Sequence, residues 1–218
     1  MRPTFRRERR WLTRAASPSP VATRRAEDLL AGPVVAAAVI LDPARIPRGL
    51  NDSKSSMPGN ARRFTKRFCA NAEVAVAFGS IERIDRGQYS CVPRSGRWPA
   101  RSRRCRCGRS WCSSDGNMKI DCGCDCEAVV SGDALVASIA AASIVAKVTR
   151  DRLMKRLGLA HPGYGFERHM GYSVPEHFRA LAALGPTIHH RRSFAPVAAK
   201  LAALGTVSDE VIAELLPL

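Results

Sequence analysis

Three observations predict an α/β fold for this chain of 218 residues. Val34–Leu41 (VVAAAVIL) is a continuous apolar run between Gly32-Pro33 and Asp42-Pro43. Its length and β-branching suit a strand buried on both faces. Glu73–Ile81 (EVAVAFGSI) reads as a second strand. Leu135–Leu157 is too long for a strand; it is Ala- and Ile-rich at first and charged later, and reads as a long helix. Hydrophobic residues at 45% and charged residues at 25% are globular proportions, which argues against disorder over most of the chain.

The other elements follow in order. Ile46-Pro47-Arg48-Gly49 is a loop, and Asn60–Ala72 is expected as a basic helix. Cys126–Val130 is a short strand, His161–Gly165 a turn-rich loop, and Pro175–Leu184 a helix opened by proline in its first turn. Ile188–Ser193 is a basic turn, and a last helix is expected from about Ser208 to Leu215. Residues 87–114 break the pattern, with no period of 2.0 or 3.6 and an excess of Arg, Ser and Cys. The longest apolar or small stretch, Ala134 to Ala146, is too short to span a bilayer. No apolar segment follows a basic start near the N-terminus. A cytoplasmic protein with no membrane association is therefore expected, and no internal repeat is found.

The formal charge of +16 points toward a polyanionic partner such as nucleic acid. Its distribution weakens that inference. Residues 1–28 hold 8 basic and 3 acidic side chains, and residues 87–114 hold 7 basic and none acidic. Residues 115–218 are balanced, with 11 of each. The 8 cysteines are split similarly, since Cys91, Cys105, Cys107 and Cys112 lie in the same odd stretch. A disulfide framework is not expected without a secretory signal.

Two aspartates carry the candidate chemistry. Asp115 stands in Asp-Gly-Asn at the expected C-terminal end of a strand, and Asp133 stands just before the long helix. Carboxylates at strand ends and helix starts can converge on one cleft. Converging carboxylates bind Mg²⁺ or Mn²⁺ through hard oxygens and leave waters in place for attack on a phosphodiester. Spacing leaves other roles open. Asp133 is well placed as a helix N-cap, and Asp115-Gly116 is a turn signal.

LAGPVVAAAVILDP (Leu30–Pro43), GLNDSK (Gly49–Lys54), SDGN (Ser114–Asn117), EAVVSGDALVASIAAASIVAKVTRDRLM (Glu127–Met154), HPGYGFERHMGY (His161–Tyr172), PEHFRAL (Pro175–Leu181) and HRRSFAPV (His190–Val197) occur in one order. Together they resemble bacterial ribonuclease HII. The resemblance implies an RNase H-like fold: a mixed five-stranded sheet flanked by helices, with a helical C-terminal region. It also implies hydrolysis of the RNA strand of RNA–DNA hybrids and incision at ribonucleotides embedded in duplex DNA, with two Mn²⁺ or Mg²⁺ ions and a monomeric protein. The products would carry 5′-phosphate and 3′-hydroxyl ends. Asp115 and Asp133 match the third and fourth acids of a four-carboxylate metal site. Tyr164 resembles a tyrosine that packs by the sugar at the ribo/deoxyribo junction, with a packed loop aromatic as the alternative. Lys147 and Arg150 would face the nucleic-acid backbone, with a solvated helix face as the alternative.

The chain departs from the family at its first two acids. The family carries D-E-A-G-R-G directly before its P-L-A-G-P-V-V, and this chain has Thr23-Arg24-Arg25-Ala26-Glu27-Asp28-Leu29 there. Glu27 and Asp28 are displaced by four residues and are not taken as ligands. Residues 12–29 and 87–113 both read as if translated out of frame. Ala22–Asp28 can be encoded by GCG ACG AGG CGG GCC GAG GAC, which, shifted by two bases and followed by C, yields D-E-A-G-R-G-P. The linear division expected is an irregular N-terminal segment over 1–29, a catalytic domain over 30–197 containing the odd stretch 87–114, and a tail over 198–218. Pro18 and Pro20 argue against a central strand in Ala16–Leu29. Arg109–Ser114 would be a weak fourth strand with a buried-arginine problem. The chain is accordingly expected to be poorly stable and impaired or inactive as a nuclease.

Two other classes compete. Cys105, Cys107, Cys112, Cys122, Cys124 and Cys126 could hold zinc in a nucleic-acid-binding module, although their spacing is not that of a zinc ribbon. A non-catalytic protein retaining the fold is the other. His161, His169, His177, His189 and His190 form no recognisable ligand pattern.

Overall fold

The computed structural model describes residues 3–12, 19–23, 29–46, 72–86, 111–117, 119 and 125–204. In chain order the elements are α1 (Arg6–Leu12), β1 (Ser19–Thr23), β2 (Val34–Leu41), β3 (Ala72–Gly79), α2 (Ile81–Asp85), β4 (Trp111–Asp115), β5 (Asp125–Val129), α3 (Gly132–Leu135), α4 (Ala137–Ala160), α5 (Phe166–His169) and α6 (Pro175–Leu184). Residues 195–204 are also helical. The expected helices over Asn60–Ala72 and Ser208–Leu215 lie outside the described residues.

The five strands form one mixed sheet in the order β3-β2-β1-β4-β5. The β1–β2 and β2–β3 pairs are antiparallel, while β1–β4 and β4–β5 are parallel. This is the five-stranded mixed sheet expected, and β2 occupies the predicted residues. Six of its eight side chains are buried, as its unbroken apolar run requires. Val35, Ala37, Val39 and Leu41 alternate onto one face and join the core formed with Ile139, Ile144 and Val148 of α4. Every residue from Ala137 to Ala146 is buried, so the first turns of α4 are apolar or small all round.

The N-terminal segment differs from expectation. Residues expected to be irregular include α1, and β1 is a central strand despite Pro20. The register explains the tolerance. Pairing with β2 begins at Val21↔Ala38, one residue beyond the proline, while Pro20 itself pairs with Ser113 of β4. A proline at the start of a strand, before one of the two ladders has begun, costs little. β4 also forms where a weak strand was expected. Cys112, Ser113 and Ser114 are buried, and the Ser113 hydroxyl has no hydrogen-bond partner among the described residues. Arg109 lies outside the described residues.

Packing divides the chain into two compact units rather than along the expected linear boundaries. One comprises Met1–Arg25, Val34–Gly79 and Ser90–Arg150; the other comprises Ala26–Pro33, Ser80–Tyr89 and Asp151–Leu218. In the second, Leu30 packs with Leu181 and Val197, and Ala31 with Met154, Tyr164, Phe166 and Ala180. Both Leu30 N and Ala31 N donate to the Gly171 carbonyl, at 2.9 and 3.3 Å. Gly171 has φ +78, and a Cβ there would collide with the Ala31 carbonyl oxygen. No described helix is long and apolar enough to cross a membrane.

Candidate active site

β4 ends on Asp115, and Gly116 follows with φ +95. Its N–H donates to the Val129 carbonyl at 3.0 Å, which holds the ends of β4 and β5 side by side. From Val129 the chain passes Val130 and Ser131, the latter left-handed at φ 55, and enters α3. Ser131 occupies the N-cap position without a side-chain capping bond. That duty falls to Asp115, whose Oδ1 accepts the Gly132 N–H at 2.9 Å. Asp133 is therefore not the N-cap; it lies in the first turn of α3, one residue beyond the group that Asp115 holds. Both carboxylates are half-buried.

Gly132 makes this junction possible. A Cβ on it would stand 2.7 Å from Ile139 Cδ1 and 3.2 Å from Asp115 Oδ1. Any larger residue would push on the carboxylate or the core. Sequence reasoning singled out the two acids and missed Ser131 and Gly132. The signal was present in Ser-Gly-Asp, a small residue and a glycine directly before an acid at a strand-to-helix turn.

The backbone of Thr23 closes the picture on the other side of β4. Val21 pairs with Ser114 in the parallel β1–β4 ladder, and Thr23 ends β1. Parallel strands place their C-terminal ends at the same edge of a sheet, so β1 ends at the edge where Asp115 lies. Arg24 is outside the described residues.

Two aspartates are hard-oxygen donors. They suit a single Mg²⁺ or Mn²⁺ that keeps most of its waters. They fall short of a cage for two ions, and no group of three or more His, Cys, Asp or Glu side chains able to hold a metal occurs among the described residues. Of the cysteines in the zinc reading, Cys112 and Cys126 are described, and neither forms a disulfide.

The remaining candidate residues separate. Lys147 is half-buried on α4. Arg150 differs from expectation, being only 4% exposed. It lies four residues from both Ala146 and Met154, which are buried too, and this puts it on the inward face of the helix. Tyr164 lies in the second unit and is 7% exposed. Its hydroxyl donates to the Gly185 carbonyl at 2.6 Å, and its ring stacks on Phe166 with centroids 5.1 Å apart. Burial raises its pKa above the ordinary 10.

Two of the histidines, which show no ligand pattern in the sequence, join in a hydrogen-bond chain in space. Thr187 N–H donates to His190 Nδ1 at 2.9 Å. His190 Nε2 must then carry the proton, and it faces His177 Nε2 at 3.1 Å. His177 Nδ1 is left to donate to the Tyr172 carbonyl at 2.9 Å. Burial pushes both imidazoles down to about 4, and each is further disfavoured as a cation by a neighbouring histidine. This is a neutral hydrogen-bond chain within the second unit.

Comparison with known proteins adds the following. The family described as Ribonuclease HII matches residues 118–197. A ribonuclease HII of Rhodopseudomonas palustris (strain BisB5) is 51% identical over 200 residues, which is 90% of this chain and 66% of that protein. One from Bradyrhizobium diazoefficiens is 50% identical over 198 residues, covering 90% of this chain and 75% of its own length. The chain thus spans about two thirds to three quarters of these relatives. The ribonuclease H2 of Pyrococcus horikoshii OT3 superposes with a TM-score of 0.65 at 20% identity, over 84% of this chain and 95% of that one. Bst-RNase HIII in complex with Mn²⁺ gives 0.63 at 19% identity, over 88% and 71%. At such identities the structures establish the fold, which is RNase H-like.

Proposed function

The chain belongs to the ribonuclease HII family, and from that premise we propose that it derives from a divalent-metal-dependent endonuclease acting on RNA–DNA hybrids and on ribonucleotides embedded in duplex DNA. The observation that carries the reading is the Asp115 Oδ1 contact with Gly132 N, which ties a strand end to the helix start bearing Asp133.

In this reading Asp115 and Asp133 hold the cation. When bound, it supplies positive charge against the charge developing on the scissile phosphate. Lys147 contacts backbone phosphates, so affinity should fall with salt. Tyr164 offers what remains exposed of its ring to a sugar, while its hydroxyl stays on Gly185. Arg150 has no such role, because it is buried. The products carry 5′-phosphate and 3′-hydroxyl ends, and the protein works as a cytoplasmic monomer.

The chain as it stands has weak or no activity. A specific observation favours this second reading: the family's first two acids fall at Thr23 and Arg24, so two of four carboxylates are missing. The Ser113 hydroxyl in β4, which has no hydrogen-bond partner among the described residues, supports the expectation of low stability.

The experiment is cleavage of a duplex carrying a single ribonucleotide, in Mn²⁺. The chain itself should give no measurable product. Thr23→Asp combined with Arg24→Glu should restore metal-dependent cleavage. Efficient cleavage by the unaltered chain would overturn the impaired reading. Failure of the restored variant, if folded, would count against the nuclease reading. Resequencing the coding DNA tests the frame explanation, which a clean read through codons 10–30 and 87–113 would end.

A further inference from the structure

The break between α3 and α4 leaves polar groups that neither helix can satisfy, and the N-terminal segment satisfies them. Val136 is extended, with φ −116 and ψ 121. A helix that stops and restarts there strands a carbonyl on one side and N–H groups on the other. Thr4 N–H donates to the Leu135 carbonyl at 3.1 Å, and the Thr4 carbonyl accepts Ala137 N–H at 3.1 Å. Glu8 Oε1 accepts Ser138 N–H at 3.0 Å. Phe5 anchors the arm in the core, and Arg7 pairs with Glu127 of β5 at 2.9 Å.

Glu8 is fully buried, and its Oε2 has no hydrogen-bond partner among the described residues. Burial raises the pKa of this carboxyl. Such a costly group is placed where the chain would otherwise be weakest. α3 is a single turn with internal bonds Ala134 N to Ser131 O and Val136 N to Gly132 O, and an isolated turn does not hold its own shape. Asp115 fixes its start, and the arm fixes its end. Asp133 lies between the two fastenings.

We infer that the arm Thr4–Glu8 is a positioning element for the Asp133 carboxylate, with Glu8 as its positioning residue. The inference rests on the metal-binding reading of Asp115 and Asp133. It assigns the N-terminal arm a part in metal affinity although it supplies no ligand.

The test measures Mn²⁺ affinity of the full chain, through the free-ion resonance signal, together with hydrogen exchange at the Ser138 amide. Asp133→Asn is the reference and should weaken binding by about tenfold or more. Glu8→Ala should weaken it by roughly tenfold, the usual reach of a group supporting a ligand from behind, and should release Ser138 N–H to exchange. Glu8→Gln keeps the acceptor and should retain near-parental affinity. Leu181→Ala, which opens a cavity in the core of the second unit, should leave Mn²⁺ binding unchanged and so separates positioning from general loss of stability. If Asp133→Asn weakens binding and Glu8→Ala does not, the inference fails and the metal reading stands. If Asp133→Asn has no effect, the metal reading itself fails. Should Glu8→Ala not fold, Thr4→Pro, which removes the N–H given to Leu135 and fixes φ there, takes its place. Loss of folding in both would make the arm a folding element and overturn its positioning role.

Discussion

The carboxylate junction of the first unit and the histidine cluster of the second handle polar groups in opposite ways. His177 and His190 have almost no solvent exposure, and their ring nitrogens are used in a chain running from Thr187 to the Tyr172 carbonyl. Neutral rings fill a buried slot there and hold a loop to a helix. Asp115 and Asp133 are half-buried on a strand end and a one-turn helix. Asp115 gives one acceptor position to Gly132 N–H, out of about four that a carboxylate has. Polar atoms consumed internally serve the fold. Carboxylates that keep acceptor capacity near solvent are suited to a ligand.

Substitutions can break that contrast. The largest effect is expected from Gly171→Ala in the second unit. Its φ of +78 and the Ala31 carbonyl against its Cα leave no room for a methyl group, and about 3 kcal/mol or more of stability should be lost. Urea denaturation measures this, and a midpoint unchanged from the parent would refute the close approach.

Acid comes next. His177 and His190 sit at about 4 in the folded state against 6.5 when unfolded, through burial above all. Between these values the unfolded chain binds protons that the native one does not. Stability present above pH 6.5 therefore falls as pH drops toward 4. Urea midpoints at pH 7, 5.5 and 4 follow it. A flat profile would show that the two rings are not held neutral.

Tyr164→Phe removes the donor to the Gly185 carbonyl and should cost about 1 kcal/mol in thermal or urea unfolding. Asp115→Asn should have the smallest effect on stability, within about 0.5 kcal/mol, because the amide oxygen still accepts Gly132 N–H. The same change should abolish Mn²⁺ binding. A variant that loses stability and keeps the metal would reverse the contrast between the two regions.

Legibility followed the range of the interactions involved. β2 and α6 lie on their predicted residues, since an unbroken apolar run and a proline at the first turn are local signals. The placement of Asp115 at a strand end and Asp133 at a helix start was also legible, because each stands beside a turn signal. β1 was not. Pro20 argued against a central strand, and only the staggered start of the β2 ladder makes it tolerable. The resemblance set Arg150 against the nucleic-acid backbone, with a solvated helix face as the alternative, but the helix face on which it lies turned inward. Glu8 had no local signal at all, since its partner Ser138 is 130 residues away.

From sequence alone came the fold class, the family resemblance and the candidate acids. These rest on residue type, period and order, which a linear text carries in full. Tertiary structure alone decided that Asp115 caps the helix bearing Asp133, that a buried glutamate braces the helix break behind it, and that two histidines form a neutral hydrogen-bond chain. Each of these depends on a hydrogen bond between residues distant in the chain, and such a bond exists only once packing has excluded water and brought donor and acceptor within about 3 Å.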